Sequence, residues 1–341
     1  MPLLCRVAEN MFWLNRYVER AISIIRVVDV TAHLELDSGD PDASGIDYWT
    51  PLLGPALDTV PHDGEDESCT PLPQDVRYYL AFDPDNSSSL LSCIRQARSA
   101  AREVRDSISS EMWERINTSF LMLAEPDRVR DVEEDLHAFY RQARDSLLLI
   151  QGLADATVAH DESWQFLSLG KYLERADNVS RLLRLHCRLL TSGDAPAHGD
   201  ETVRWLAVLR SAGSAEAYSR YYSLRVEPTR VLEFLLLNPL FPQSVRFSLG
   251  AAWEALQSIS SATMAGSGPP VRLLGMLRAR LEHASVDEVL AFGLEEFLAS
   301  IQDDIAQVSE RLTRAFFRYA PPLGRDVAVA RARQIMAAQQ Q

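Results

Sequence analysis

Residues 12–28 read FWLNRYVERAISIIRVV, and residues 167–183 read LSLGKYLERADNVSRLL. In both, apolar positions recur every three or four residues, the period of an amphipathic helix. Both also carry a Glu-Arg step at the same place, Glu19-Arg20 and Glu174-Arg175, an offset of 174 − 19 = 155. The offset returns further along, where Asp83-Pro84 meets Asn238-Pro239 (238 − 83 = 155). Separate segments that keep one spacing point to an internal duplication, with a period far longer than that of a solenoid repeat. The predicted fold is all-α: a helical bundle with two pseudo-symmetric halves, residues 1–158 and 159–320, packed into one body. Residues 321–341 form a C-terminal tail.

The bulk properties narrow the function. A chain of 341 residues with 47% hydrophobic content is long enough for a substantial core. A net charge of −14 opposes nonspecific binding to a phosphate backbone. Lys171 is the single lysine, so arginine makes up the remaining 34 − 1 = 33 basic residues. Cys5, Cys69, Cys93 and Cys187 are scattered with no CxxC spacing, which favours reduced thiols over disulfides or zinc. The first twenty residues carry Glu9 and Arg16 inside their apolar run, so they read as a helix of the fold and not as a signal peptide. No apolar run is long enough to span a bilayer, and a cytoplasmic protein is expected.

Helices are predicted over about 3–36, 48–57, 87–108, 111–123, 127–158 and 161–190. Further helices follow over 201–211, 214–224, 228–237, 243–262, 271–283 and 286–318. Asn86 or Ser87 is the expected N-cap of the third, and Pro321-Pro322 ends the last.

The charged residues supply the functional candidates. Glu9, Arg16 and Arg20 share one face of the first helix, with Glu19 beside it. Lys171, Glu174 and Arg175 repeat Arg16, Glu19 and Arg20 in the second copy, and Asp177 and Arg181 extend the pattern. Apolar neighbours leave little room for a wide solvated face. Two readings stay open: a buried structural charge network, or a functional pocket. Arg95, Arg98, Arg102 and Arg105 follow at spacings of 3, 4 and 3, a stripe on one helical face. It suits either salt bridges on a solvated surface or an anion site, where the guanidinium fork binds carboxylate or phosphate. Glu111 on the next helix is placed to line the same space. No phosphate-binding glycine loop, nucleophile elbow or metal-ligand cluster occurs, so neither a cofactor nor a metal is expected.

These segments resemble the alpha-E domain family of bacterial helical proteins. The resemblance rests on Arg6-Val7-Ala8-Glu9-Asn10, Trp13-Leu14-x-Arg16-Tyr17-x-Glu19-Arg20-Ala21 and Phe82-Asp83-Pro84-Asp85-Asn86. It continues through the Arg98–Asp106 stretch, Glu111-Met112-Trp113, Leu169–Asp177 and Phe241–Phe247. Lys171 departs from it, since arginine is common there; the charge is kept but bidentate geometry is lost. The resemblance implies a companion of circularly permuted ATP-grasp ligases and transglutaminase-like proteins, in systems that make or cleave amide bonds.

The expected function is thus an accessory or co-catalytic component of an amide-ligase system. Its pocket for an anionic small molecule or peptide would be formed by Glu9, Arg16, Arg20, Arg95, Arg98, Arg102, Arg105, Glu111, Lys171 and Arg175. Two alternatives stand beside it: a stand-alone enzyme of amide chemistry with Glu19 or Glu174 as general base, and a purely structural docking scaffold. Mapping Arg98 and Arg102 forward by 155 gives Trp253 and Gln257, so any site is expected to be asymmetric.

Overall fold

The computed structural model describes residues 3–37, 52, 73–124, 136–191, 200–222, 225–262 and 268–317. Among these the secondary structure is entirely helical. The two Glu-Arg segments lie in the longest helices, α1 (Cys5–Asp37) and α6 (Glu162–Thr191). Between them run α2 (Pro73–Ala81), α3 (Leu90–Glu103), a single 3₁₀ turn at Arg105–Ser107, α4 (Ser110–Ala124) and α5 (Leu136–Thr157). After α6 come α7 (Asp200–Ser211), α8 (Ala215–Tyr222) and α9 (Pro228–Leu232), the last widening into a π-helical turn over Glu233–Leu237. The described chain ends with α10 (Val245–Ala262), α11 (Pro269–His283), α12 (Val286–Phe292) and α13 (Leu294–Leu312), which runs into a second π-helical turn at Thr313–Phe317.

The helices close two rings of four. In one, α1 packs on α3 and α5, and α4 packs on both α3 and α5; in the other, α6 packs on α10 and α13, and α11 packs on both of those. The rings are joined by α1 lying against α6. Leu14, Val18, Ala21, Ile25 and Val28 of α1 and Leu169, Leu173, Ala176, Val179 and Leu183 of α6 are all buried. Each large side chain removed from water in this way contributes roughly 1.5–3 kcal/mol.

The 155-residue offset reaches into local geometry. α2 and α9 start at Pro73 and Pro228, and α3 and α10 start at Leu90 and Val245. Ser89 Oγ accepts the Ser92 amide at 3.2 Å, and Ser244 Oγ accepts the Phe247 amide at 3.0 Å. Asp83 Oδ1 accepts the Asp85 amide and Asn238 Oδ1 accepts the Leu240 amide, each at 2.8 Å. The N-cap of α3 is therefore Ser89, not Asn86 or Ser87. Asn86 is used one step earlier, its side chain bridging the Ser88 amide and the Tyr79 carbonyl.

One predicted helix is two. The run 286–318 breaks at Gly293, whose φ of +108° is open to glycine and strained for other residues. The predicted helix 48–57 apart from residue 52, the first part of the helix drawn over 127–158, and the tail 321–341 lie outside the described residues.

The contact between α1 and α6 depends on Gly170. A Cβ there would sit 2.1 Å from the Phe12 carbonyl oxygen, so only glycine lets the two backbones come this close. At the corresponding place on α1, Asn15 Nδ2 donates to the Leu167 carbonyl at 3.2 Å. Gly170→Ala is expected to force the helices apart and lower unfolding free energy by about 1–3 kcal/mol or more, read by denaturant titration. Gly152, where a Cβ meets nothing within 4 Å, is the control: alanine there should leave stability unchanged or slightly raised.

Candidate functional site

The Glu-Arg steps of α1 and α6 face each other and exchange partners. Glu174 accepts Arg16 Nε at 2.7 Å through Oε2 and Arg20 Nε at 2.6 Å through Oε1, with Arg20 Nη2 adding a bond at 3.2 Å. Glu19 accepts Arg175 Nε at 2.6 Å and Arg175 Nη2 at 3.0 Å, a bidentate pair, and Gln151 of α5 donates its amide to the same carboxylate. Each glutamate thus bonds the arginine of the other helix. Both carboxylates are withdrawn from solvent, Glu174 at 1% exposure and Glu19 at 4%.

Lys171 stands 155 residues after Arg16 but makes different contacts. Arg16 reaches across to Glu174, and its Nη1 donates to Ser309 at 3.0 Å. Lys171 instead turns to Asp155, 3.5 Å away, and the Gln151 amide takes the place on Glu19 that a second arginine would hold.

The electrostatics follow. Burial pushes both glutamates upward, but the guanidinium beside each outweighs it and holds the carboxyl below its ordinary value: Arg175 for Glu19, Arg16 and Arg20 for Glu174. Burial and Arg175 lower the Lys171 ammonium, opposed by Asp155 and Glu19. Cys93 is pushed up to about 12 by burial, which makes it a packed, unreactive thiol. The network pairs two carboxylates with three guanidiniums, all but Arg20 buried.

The structure brings Arg16, Glu19, Arg20, Lys171, Glu174 and Arg175 together. The arginine stripe does not join them. α3 turns Cys93, Ile94, Ala97, Ala100 and Ala101 inward, while Arg95, Arg102 and Arg105 lie exposed on the opposite side. Arg98 is half-buried there, donating to Asn117 Oδ1 at 2.7 Å with its guanidinium over Phe120, and Arg105 lies over Trp113. Glu111 is exposed and Glu9 is half-buried on the first turns of α1. The single pocket expected from both sets is therefore two places: a sealed clamp and an arginine-aromatic outer face. A stripe at helical spacing looks the same in sequence whichever way its helix turns.

Two groups escaped the sequence reading. Asp29, His33 and His137 bring potential ligand atoms within 4.8 Å of one another. His137 comes from α5, and no motif spacing links it to α1. Arg144 lies 3.6 Å from Asp29 Oδ2 and already offsets that carboxylate. The second group surrounds Arg26. A cleft at the edge of the clamp is lined by Glu19 and Arg175 together with Ser23, Arg26, Asn178, Ser211 and Gln243.

With this geometry in view, residues 3–317 match Alpha-E, described as "a predicted alpha-helical domain with a conserved ER motif". The chain belongs to the Alpha-E family. Glu19-Arg20 and Glu174-Arg175 are the Glu-Arg steps of this Alpha-E chain, and they are the buried cross-bridges just described. An uncharacterized protein of Mycobacterium bovis and one of Mycobacterium tuberculosis are each 26% identical over 338 residues, covering 90% of this chain. The chain spans 36% of the length of these curated relatives. No solved structure matches. No described helix is long and apolar enough to cross a membrane.

Removing one carboxylate strands buried guanidiniums, at a cost of about 3–5 kcal/mol. Glu174→Gln should be the worse variant, because it strands Arg16 and Arg20 together while Glu19→Gln strands Arg175 alone; urea unfolding of both reads the order. The pH dependence has a defined sign. His186, lowered to about 4 by burial and by Arg204, stays neutral in the fold while the unfolded chain binds a proton at about 6.5. Stability should fall as pH drops from 6.5 towards 4, and His186→Phe should remove that segment. The two glutamates, lowered in the fold, add their contribution above their ordinary value of 4.5 and lose it as pH falls through the depressed values.

Proposed function

We propose that this Alpha-E chain is a noncatalytic accessory component of an amide-ligase system, acting beside a circularly permuted ATP-grasp protein and a transglutaminase-like protein. In this reading residues 1–158 and 159–320 are copies of one helical unit, and the Glu-Arg steps are the clamp that fuses them. The recurrence of helix starts, capping serines and turn bonds at one offset supports the duplication. The partner class rests on family membership and on the resemblance of the quoted motifs.

One observation carries the choice against catalysis by Glu19 or Glu174. A general base needs a free lone pair within reach of a substrate and affinity for a proton near the working pH. Both oxygens of each carboxylate already accept strong bonds, the groups are sealed from solvent, and each is held below its ordinary value. Arg16, Arg20 and Arg175 are likewise occupied by carboxylates, so a substrate anion must be met by other side chains. Arg98 of α3 and Arg105 of the following turn, set against Phe120 and Trp113 of α4, suit contact with an acidic partner surface.

The test is co-purification of the full chain with the ATP-grasp protein encoded near it, combined with assay of the chain alone for amide hydrolysis or ligation. The reading predicts a complex that weakens when Arg95, Arg102 and Arg105 are changed to Glu, and no turnover by the isolated chain. Turnover that disappears in a folded Glu19→Gln variant would return Glu19 to a catalytic role. A chain that ignores the ATP-grasp protein would remove the accessory role.

A further inference from the structure

Arg26 is the one cation on the inner side of α1 whose carboxylate is missing. The offset of 155 takes Arg26 to Arg181, and it takes Ile22 to Asp177 (26 + 155 = 181; 22 + 155 = 177). On α6, Arg181 Nε donates to Asp177 Oδ2 at 2.9 Å, an i,i+4 pair. On α1 the acid's place is taken by the apolar side chain of Ile22, which is buried. Among the described residues Arg26 has neither a hydrogen-bond nor an ion-pair partner; burial, Arg175 and Arg144 disfavour its charged form, against the favourable field of the Arg175-bound Glu19 carboxylate.

The surroundings of Arg26 are built to hold it. α7 ends in a Schellman turn: Gly213, at φ +63°, donates to the Arg210 carbonyl and Ser214 donates to the Leu209 carbonyl, each at 2.8 Å. A Cβ on Gly213 would lie 2.8 Å from Arg26 Cζ and 3.0 Å from both terminal nitrogens, so the guanidinium lies flat on the glycine backbone. The C-terminal end of α7 offers this cation partial negative charge only. Facing it, Asn178 has a buried amide nitrogen without a hydrogen-bond partner. Ser23, Ser211 and Gln243 complete the polar wall, and Glu19 is already occupied by Arg175 and Gln151. The cleft therefore holds one uncompensated positive charge and an unused donor. The cleft is narrow, with about 20 Å³ open to a water-sized group.

We infer that this cleft binds the carboxylate group of a small molecule or peptide, with Arg26 as its ion-pair partner and Asn178 as a hydrogen-bond donor. The ligand supplies from outside what Asp177 supplies to Arg181 from within. The inference rests on the cleft and not on the ATP-grasp association, so either can fail without the other.

The experiment is calorimetric titration of the full chain with acetate, L-glutamate and a glutamate-terminated tripeptide, with inorganic phosphate as the competing anion. Saturable binding of a carboxylate probe is expected, weakened about tenfold or more in Arg26→Gln and in Asn178→Leu, with phosphate binding weaker. Glutamate alone or the peptide alone would distinguish the source of the group. Ile22→Asp is the internal check: it places a carboxylate four residues before Arg26 and should abolish probe binding. Circular dichroism of each variant establishes that it is folded. Absence of saturable binding by every carboxylate probe, unchanged affinity in folded Arg26→Gln, or tighter binding of phosphate would each overturn the assignment.

Discussion

The structure depends on two glutamates and three arginines meeting at one helix crossing, all but Arg20 buried. Isolated in a protein interior, any of them would cost several kcal/mol. Glu19 and Glu174 become tolerable there only because each meets the arginine of the opposite helix, at 2.6 Å in both cases. The requirement is geometric: the guanidinium fork and the carboxylate must align, and so the register of α1 on α6 is fixed. Gly170 removes the one atom that would prevent the backbones from approaching closely enough. Each ring of helices then hangs from its own half of the clamp.

The same constraint changes what a Glu-Arg motif means in this chain. An acid beside a base invites a catalytic reading, and here each acid is already paired with an arginine of the opposite helix. The carboxylates are held in their charged form by guanidiniums, so they have little affinity for a proton near neutral pH. Outside the clamp lie Arg26 in its cleft, Arg98 of α3 over Phe120 and Arg105 over Trp113. At the 155-residue offset Ile22 corresponds to Asp177 and Arg98 to Trp253, so neither place recurs along the chain.

Much of the fold was legible because helical period and offset are properties of residue order. α1 and α6 were readable to within a residue or two from their apolar stripes. The break at Gly293 was not, since a glycine inside a periodic run is usually tolerated and only its φ reveals a stop. The choice of Ser89 as N-cap was hidden among competing Asn and Ser side chains, each able to bond the same turn. In the site, the recurrence of Glu19-Arg20 marked the important residues but not their pairing. Gln151 could not have been named, because an amide compensating for Lys171 on another helix leaves no spacing signature. The stripe from Arg95 to Arg105 leaves a solvated face and an anion site open in the sequence, for periodicity gives relative angle and not absolute direction.

The account stands most directly on energetic coupling across the helix crossing. A double-mutant cycle of Glu19→Gln and Arg175→Gln, measured by urea unfolding, reads that coupling alone. The account predicts that the double variant is more stable than the sum of the single losses implies, by about 2 kcal/mol or more. Losses that add to within about 0.5 kcal/mol would mean that the two residues do not act as a pair, and would contradict the clamp.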